Sequence, residues 1–583
     1  MVLVAGLMTI AGCLGTGVLV VRLIGVRWPV PFLQVAAVLL GLHLQSLAVQ
    51  ALAMSHATSP VALIGIWIAL VALGACGLVL LWRSCRPRAP AAIPTIALVL
   101  LVVVAVIGLA ASVVPSTKID EIYYVIPFAS RLLADHGLVA YRQPVEAAVL
   151  LQMTYAAGAA PLQALGFPDA FNVVSWALGL SLVWFGWRLL REQGTTAPVP
   201  YVIVAAVAVG AYPLVFHVTV GSHALGEVAL AATVVGLACA PRLIAAGGPV
   251  SYAALMSLLS WSAASAKLSL MPVSFACLLM AAVPAWRAAL GHRHLQVLAL
   301  GWAWLAFGAP IALWDWWHTG SPFGPVLADL FGSTFFAPGA FAEYAARTRD
   351  NDWKFDGLFL LDNGAARAGL VWLAVAGFFL SSGWSAAFKW RAAGLLLGQA
   401  ILLVALLPAH VRFLGGLPAG LAICCALHPP AFLARRRLSG AAVAGVLVAP
   451  WLAGQLFYGA QFVPRALGLE DGTAFLRRHI ALFDDFQRLD SLLPRDAVII
   501  APGMRAASAY APRPILFDPA DLPGDRPAYM LSGFGTEPPE GIVVGAEVFA
   551  NPAARLSIGR RWWVPAIEGD LRVYSVRRGT SLR

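Results

Sequence analysis

Long apolar stretches recur throughout residues 1–458, and they constrain the fold of this chain more than any other feature. Each is roughly 17–25 residues long, which is enough for a helix to cross the hydrocarbon layer of a bilayer. A transmembrane barrel would instead need segments of about ten residues with alternating polarity, a pattern that the sequence lacks. Only 11% of the residues are charged, whereas a soluble globular chain carries about a quarter. The sequence therefore predicts an all-α polytopic membrane protein and excludes a soluble enzyme.

The basic residues group at the ends of the apolar stretches. The formal net charge of +11 would also suit a nucleic-acid binder, but positive charge at helix ends is the topology signal of membrane proteins. We therefore place the basic clusters in the cytoplasm and exclude nucleic acid as a partner. The clusters are Arg22 and Arg27; Arg83, Arg86 and Arg88; Arg188 and Arg191; Arg242; Arg287 and Arg293; Lys389 and Arg391; and Arg435, Arg436 and Arg437.

With these clusters inside, the chain is predicted to form about fourteen transmembrane helices with both termini outside. The first apolar stretch has no early basic residue and no small-residue cleavage site, so we interpret it as a retained span and not as a signal peptide. The predicted spans are 3–25, 30–53, 60–82, 93–114, 170–190, 200–218, 224–240, 251–266, 268–286, 296–314, 368–385, 393–408, 414–433 and 440–458.

Three longer stretches leave the membrane, all on the outer side in this arrangement. They are the first external loop (115–166), the second external loop (315–367) and the tail (459–583). The chain thus divides into N-terminal transmembrane helices (1–92), a transmembrane core that carries both loops (93–458), and the tail. Strand-like runs separated by Pro- and Gly-rich turns predict a small external α/β domain in the tail. Its predicted strands are 497–501, 514–517, 541–544 and 571–576, and its predicted helix is 472–493.

The first external loop begins with an adjacent pair of carboxylates. Asp120 and Glu121 come directly after the fourth predicted span. Charged groups are costly in the apolar zone of a membrane, so acids at its surface usually face a cavity or a partner. The alternative is that the pair only solvates or caps the next helix. Residues 122–137 then predict an amphipathic helix that lies along the membrane and stops at Gly137.

From this pair onward, the order of motifs resembles that of the GT-C fold glycosyltransferases. An Asp-Glu pair followed by a tyrosine-containing helix, a glycine and a proline-containing segment is similar to their first periplasmic loop. The likeness is greatest for the branch of protein O-mannosyltransferases and lipid A aminoarabinose transferases, and it covers roughly residues 93–440. The motifs that follow in the same order are the external turn 213–230 with Glu227, the helix break 264–269 with Lys267, the Gly-Asn-Pro-type segment 319–325 with Ser321 in place of asparagine, and the Arg-Phe motif 410–413 with Arg412.

This resemblance implies a GT-C-like membrane glycosyltransferase in the bacterial cytoplasmic (inner) membrane, with its active site and tail facing the periplasm. It implies transfer of a sugar from a polyprenyl-phosphate donor to an acceptor, which is a glycan, a lipid or a protein. A carboxylate would deprotonate the acceptor as the anomeric carbon is attacked, and we assign this role to Asp120 with Glu121 as its helper. An inverting displacement needs one such base and no covalent glycosyl intermediate.

Cationic side chains are expected to hold the phosphate of the donor. Lys267, Arg412 and Arg131 are the candidates, since lysine offers a point charge and arginine a bidentate fork. For the two arginines, the alternative is that they snorkel to the membrane interface. Lys267 lies between two apolar segments with no water-facing run beside it, which favours a ligand-binding role.

Four residues are candidates for contacting the acceptor or a divalent cation such as Mg²⁺ or Mn²⁺. For Glu227 the alternative is a cap at a helix start, and for His223 it is a structural hydrogen bond. Tyr124 belongs to the amphipathic helix, and Tyr344 belongs to the polar run 343–352, which suits a lid or an acceptor contact. No other cofactor is predicted, and the seven cysteines predict no disulfide framework and no zinc site.

Two other function classes stay open. A transporter or flippase of a lipid-linked saccharide would show an internal repeat and charged residues at the centre of the bilayer, but the sequence shows no repeat and its notable acids lie near the outer surface. A non-catalytic envelope assembly protein would bind its partners through the tail. Trp314, Trp316 and Trp317 predict an interfacial aromatic belt, with stacking against a sugar as the alternative.

Overall fold

Helices form most of this protein, and a single sheet lies in the tail. The structure is a computed structural model that describes residues 1–84, 93–117, 125–142, 153–209, 222–288, 293–339, 341–342, 375–406, 416–431, 439–480, 482–501, 508–516, 521–522, 524, 526–533, 542–556 and 567–578. The α-helices are Val2–Leu23, Val30–Met54, Pro60–Ser84, Thr95–Ser112, Ile126–Ala134, Met153–Ala164, Ala170–Glu192, Pro198–Val207, Ser222–Ala238, Ala240–Ala266, Met271–Ala288, Arg293–Ala303, Ala309–Thr319, Ala328–Phe331, Ala386–Leu406, Leu417–Leu427, Ser439–Ala460, Val463–Ala466, Gly472–His479 and Phe483–Leu492.

Within this described part, eight helices are long and apolar enough to cross a membrane. They coincide with predicted spans, and three shorter apolar helices lie at further predicted positions. On Thr95–Ser112, Val102 and Val106 are exposed, which suits contact with lipid and would be unfavourable in water. The chain therefore has the character of a multi-pass membrane protein, and the total of fourteen spans stays a prediction.

Several helix boundaries differ from the predicted ones, and two of these differences involve a bend or charged residues. Ala240–Ala266 begins well before residue 251 and is bent where Gly248, in the left-handed region at φ +82°, precedes Pro249. Ala386–Leu406 already includes Lys389 and Arg391, which the sequence placed in a loop. The Lys389 ammonium donates to the carbonyls of Phe379 and Ser381 at the end of the preceding helical segment, because those carbonyls lack partners within their own helix.

The first external loop contains a helix that was not predicted from the sequence. Met153–Ala164 is packed inside the bundle against Val30–Met54, where the Gln45 side-chain amide donates to the Gly158 carbonyl at 3.2 Å. The His43 ring joins the two neighbouring helices, since its nitrogens lie 3.3 Å from the Thr154 hydroxyl and 2.8 Å from the Ser262 hydroxyl. A helix this short cannot span a bilayer, so hydropathy alone does not reveal it.

The tail forms a five-stranded sheet in the order β2-β1-β3-β5-β4. β1 pairs in parallel with both β2 and β3, whereas β5 pairs antiparallel with β3 and β4. A strand lies at each of the four predicted positions, and β3 is a fifth strand that was not predicted. The predicted helix 472–493 is two helices, because Leu482 adopts a left-handed conformation between them. The strands are β1 Val498–Ile500, β2 Ile515–Leu516, β3 Ala528–Gly533, β4 Ile542–Leu556 and β5 Ile567–Arg578.

Contacts between connecting segments agree with the predicted sides of the membrane. Segments predicted outside touch one another, and so do segments predicted inside. The outer contacts join Thr58 to His136, Ser116 to Tyr510, and Arg142 to both Asp521 and Phe335, so that the first external loop meets both the tail and the second external loop. The inner contacts join Trp28 to Ser251, Glu192 to Arg242, and Gly383 to His428.

We expect a reporter that is active only in the periplasm to be active when it is fused after Tyr458 and inactive when it is fused after Arg437. The intervening apolar helix Ser439–Ala460 coincides with the last predicted span, and the basic run 435–437 is predicted to hold its beginning inside. A cytoplasm-active reporter at the same two points is the control and should give the opposite pattern. If both reporters give the reverse result, the orientation is wrong and the tail lies in the cytoplasm.

Candidate functional site

The start of the first external loop is fixed at Ser116. Its backbone N–H donates to the Asp169 carboxylate at 2.8 Å, and its hydroxyl accepts from the Asn172 amide at 3.0 Å. Its carbonyl accepts from the Tyr510 hydroxyl, in the tail, at 2.6 Å. Ser116 itself is buried. This residue is therefore held both by the helix that follows the loop and by the tail.

The surroundings of the Tyr510 hydroxyl keep it protonated, so that it acts as a hydrogen-bond donor. Burial raises the pKa of the Tyr510 hydroxyl, and the negative charge of Asp169 raises it further. Burial also raises the pKa of Asp169, while its hydrogen bonds from Ser116 oppose this shift. A phenol that stays protonated donates to the Ser116 carbonyl at every pH the cell experiences.

A second contact with the tail follows a few residues later in the same loop. The Arg131 guanidinium, on the helix Ile126–Ala134, donates to the Ile515 carbonyl on β2 and lies 4.5 Å from the centre of the Tyr141 ring. Tyr141 packs into the apolar core of the tail with Ile500 and Leu516. These contacts give Arg131 a structural role, and its proposed binding of a phosphate stays a prediction.

The two contacts flank the predicted catalytic segment. Asp120, Glu121 and Tyr124 belong to residues 118–124, which lie outside the described residues. On one side Ser116 meets Tyr510, and on the other side Arg131 meets Ile515. A single tail segment, 508–516, therefore holds the chain before and after the acidic pair.

Replacing Tyr510 by phenylalanine is expected to slow the sugar transfer predicted from the sequence by about 2–10-fold, because one hydrogen bond contributes roughly 0.5–1.5 kcal/mol. Transfer rates of the purified variant in vesicles give the measurement. The matched control is Tyr529→Phe on β3, whose hydroxyl has no hydrogen bond in the part of the tail that the structure describes. Equal rates for the two variants would show that the contact at Ser116 does not position the loop.

Lys267 lies at a break between two apolar helices. It ends Ala240–Ala266 in an extended conformation, with φ −156° and ψ 128°, and a short 3₁₀ turn leads into Met271–Ala288. Gly226 packs against this break, because a Cβ on it would lie 3.0 Å from the Ala266 Cβ and 2.7 Å from a Leu270 methyl. The Gln399 amide donates to the Ser269 carbonyl at 2.8 Å. Three separate parts of the chain thus meet at this lysine.

Glu227 follows Gly226 directly and is 2% exposed. Gly416 packs so closely on this residue that a Cβ on Gly416 would lie 1.9 Å from the Glu227 carbonyl oxygen. Arg412, four residues before Gly416, lies outside the described residues, as does Tyr344. His223 stands in the first turn of Ser222–Ala238, and only its place in the helix is described. Glu227 therefore lies in a buried helix turn between the Lys267 break and the segment that follows the Arg-Phe motif.

Asp315 is a buried acidic residue. From the sequence it was predicted only to begin the second external loop. It is 0% exposed, and neither of its carboxylate oxygens has a hydrogen-bond partner among the described residues. The same holds for the hydroxyl of Ser321, which follows the left-handed turn at Gly320. Helical spacing could have identified this acid, since Ile311, Trp314, Asp315 and Thr319 share the buried face.

Asp315 and Lys267 lie at a similar depth in the bundle. Their helices run side by side in the same direction, with Trp304 donating to the Ser260 hydroxyl and Gly308 packed on Trp261. Lys267 comes six residues after Trp261, and Asp315 comes seven after Gly308, which is about 10 Å further along each helix at 1.5 Å per residue. Glu227, Lys267 and Asp315 therefore form a polar layer at one end of the bundle, which is the end predicted to face outward.

The aromatic residues beside Asp315 divide into two groups. Trp316 and Trp317 are exposed, as an interfacial belt requires. Trp314 is buried and stacks on His318 with ring centres 4.2 Å apart, so the prediction of a belt does not hold for it. Within the described residues, no group of three or more His, Cys, Asp and Glu side chains is arranged to hold a metal ion.

Replacing Asp315 by asparagine is expected to stabilise the protein by about 1 kcal/mol, because asparagine cannot carry the charge that makes a buried carboxyl group costly, although its own amide stays buried without partners. The temperature of half-inactivation in detergent measures this change. Asp329→Asn is the control, since Asp329 is exposed and accepts from the Gly339 N–H, and we expect no gain there. A loss of stability in Asp315→Asn would mean that the carboxylate is paired.

Comparisons of the chain with known protein families, with curated proteins and with solved structures give no match. The functional argument therefore depends on the residues and contacts described above.

Proposed function

We propose that this protein is a membrane glycosyltransferase that moves a sugar from a polyprenyl-phosphate donor to an acceptor at the periplasmic face of the bacterial cytoplasmic membrane. The observation that carries the proposal is the polar layer around Lys267, at the end of the bundle to which the external loops and the tail also belong. Charged residues at membrane depth are rare and usually mark a substrate or ion pathway. The positive charge of Lys267 would attract the phosphate of a lipid-linked donor at that depth.

The chemistry is a single inverting displacement. The acceptor hydroxyl attacks the anomeric carbon, its proton passes to the Asp120 carboxylate, and the polyprenyl phosphate leaves with the electron pair of the cleaved C–O bond. Lys267, Arg412 and Arg131 are the proposed phosphate ligands, because positive charge stabilises the departing phosphate. Glu121 assists Asp120, and Glu227 with His223, Tyr124 and Tyr344 orients the acceptor or a divalent cation.

Support for the catalytic segment comes from its surroundings. The tail holds residues on both sides of 118–124, through Tyr510 at Ser116 and through Ile515 at Arg131. A catalytic base must be kept within hydrogen-bond reach of the proton that it removes. Fixing both flanks of a short segment restricts where its side chains can go, which suits such a base better than a passive helix cap.

The test is release of polyprenyl phosphate from a pool of polyprenyl-phosphate sugars by the purified protein in proteoliposomes. Release measures breakage of the donor bond whatever the acceptor is, and an extract of envelope glycans, lipids and proteins supplies the acceptors. We expect release with the native chain and a loss of release with Asp120→Asn. Movement of intact lipid-linked saccharide across the vesicle membrane, without release, would support the flippase alternative instead.

A further inference from the structure

A cavity lies between four helices, towards the end of the bundle that is opposite to Lys267. It is a partly open space of about 440 Å³, a volume that includes the open surroundings, between Ser222–Ala238, Met271–Ala288, Ala386–Leu406 and Leu417–Leu427. Ten of the described residues line it, of which nine are apolar and the tenth is Arg391. Because all four of these helices overlap predicted spans, the cavity lies at the predicted depth of the bilayer. Its walls therefore suit a hydrocarbon chain, and its polar end suits an anion.

Positive charge at this cavity is available for a ligand. Arg391 is exposed and forms no ion pair with any residue that the structure describes. Arg287 follows Pro284 by three residues and Met280 by seven, so it lies on the helix face that lines the cavity, one turn beyond it. Glu192, an acid at the same end of the bundle, is already paired with Arg242 at 2.9 Å. Among the residues that the structure describes, no acidic side chain lines the cavity itself.

A buried polar group lies at the same predicted cytoplasmic end of the bundle. The Tyr252 hydroxyl, on a side chain that is 1% exposed, has no hydrogen-bond partner in the described part of the chain. Its neighbour Ser251 accepts a hydrogen bond from Trp28 at that end. Basic pockets between transmembrane helices at a membrane surface bind anionic lipid headgroups.

We propose that this cavity binds an anionic phospholipid of the leaflet that borders the Arg391 end of the bundle. One acyl chain occupies the apolar space beside Ala392 and Leu395, and the headgroup phosphate lies between Arg391 and Arg287. This site is separate from the polar layer around Lys267 and does not depend on the proposed sugar transfer. A phospholipid fits better than a polar solute, because a polar solute would leave its own groups unpaired against the apolar walls.

The test is native mass spectrometry of the purified full chain with phosphatidylglycerol or with phosphatidylcholine of the same chain length. We expect the native protein to retain phosphatidylglycerol preferentially, and Arg391→Gln to weaken that retention about fivefold, as one lost charge near the headgroup should. Arg22→Gln is the control, since Arg22 is also a basic residue at the predicted cytoplasmic end but does not line the cavity. Ala392→Phe should weaken retention of both lipids, because the larger ring fills the cavity.

Three outcomes would overturn the proposal. The first is equal retention of the two lipids by the native protein, and the second is equal behaviour of Arg391→Gln and Arg22→Gln. The third is complete displacement of phosphatidylglycerol by millimolar inorganic phosphate, which would make the site one for a free anion. Should Ala392→Phe fail to elute as a folded species in gel filtration, Ala392→Leu provides the smaller filling change for the same comparison.

Discussion

Asp120→Asn is expected to reduce sugar transfer by about 10²–10⁴-fold, the contribution that a positioned general base makes. Asparagine keeps the size of the side chain and much of its hydrogen bonding but cannot accept the proton of the acceptor. Donor affinity should change by no more than a few-fold, because the phosphate is held by cationic groups elsewhere. Single-turnover transfer and donor binding, measured separately, distinguish these two quantities.

Glu121→Gln provides the matched control for that experiment. It removes a neighbouring carboxylate of the same loop, and we expect a milder loss unless Glu121 holds a metal ion. Two adjacent acids raise the pKa of one another, so removing Glu121 should also move the acidic limb of the pH–rate profile to lower pH. Near-normal transfer by Asp120→Asn contradicts the assignment of the base, whatever the effect at Glu121.

The second large effect is expected at Lys267. Lys267→Ala should weaken binding of the polyprenyl-phosphate sugar by about 1.5–3 kcal/mol, roughly 10–150-fold, the range for a hydrogen bond to a charged group. The reason is the site itself, a helix break at which the backbone of Lys267 is extended, Gly226 packs on Ala266 and Leu270, and Gln399 donates to the Ser269 carbonyl. Equilibrium binding of a labelled donor to protein in nanodiscs gives the measurement.

Lys267→Arg separates the effect of charge from that of packing. Arginine keeps the positive charge, so donor binding should recover to within about tenfold of the native value even if its fork fits the site imperfectly. Thermal stability of both variants should match that of the native chain. Unchanged donor binding in Lys267→Ala would place the phosphate elsewhere, and the resemblance at the helix break would then concern the fold alone.

The sequence could predict those helices and strands whose pattern is visible in a short run of consecutive residues. Apolar length identified the long helices, and β-branched runs identified four strands of the tail. β3 was missed because its residues, Ala528–Gly533, include serine and glycine, and it is a strand only through pairing between β1 and β5. Met153–Ala164 was missed because small residues in a short helix look like a loop until a neighbouring helix covers them.

The same limit applies to the candidate site, because its local features could be predicted and its contacts between distant parts of the chain could not. The break at Lys267 could be predicted because serine, lysine and serine interrupt an apolar run. The packing of Gly226 and Gly416 beside it could not, since close approach of two backbones depends on parts of the chain that are far apart in sequence. Asp315 was treated as a loop residue because the exposed Trp316 and Trp317 beside it indicate the membrane surface. Its burial depends on which face of the helix turns inward.

The hydrogen bond from Tyr510 to Ser116 joins residues that are 394 positions apart. At about 5–20 residues per second, the ribosome makes Tyr510 roughly 20–80 s after Ser116. Throughout that interval the helices can enter the membrane, yet the first external loop lacks both of its tail contacts. The acidic pair is therefore bracketed only after residues 508–516 have been made. A chain that stalls or is cut between residues 460 and 508 would keep the preceding apolar helices while lacking the tail contacts at Ser116 and Arg131, on either side of Asp120, so the order of synthesis itself delays these contacts.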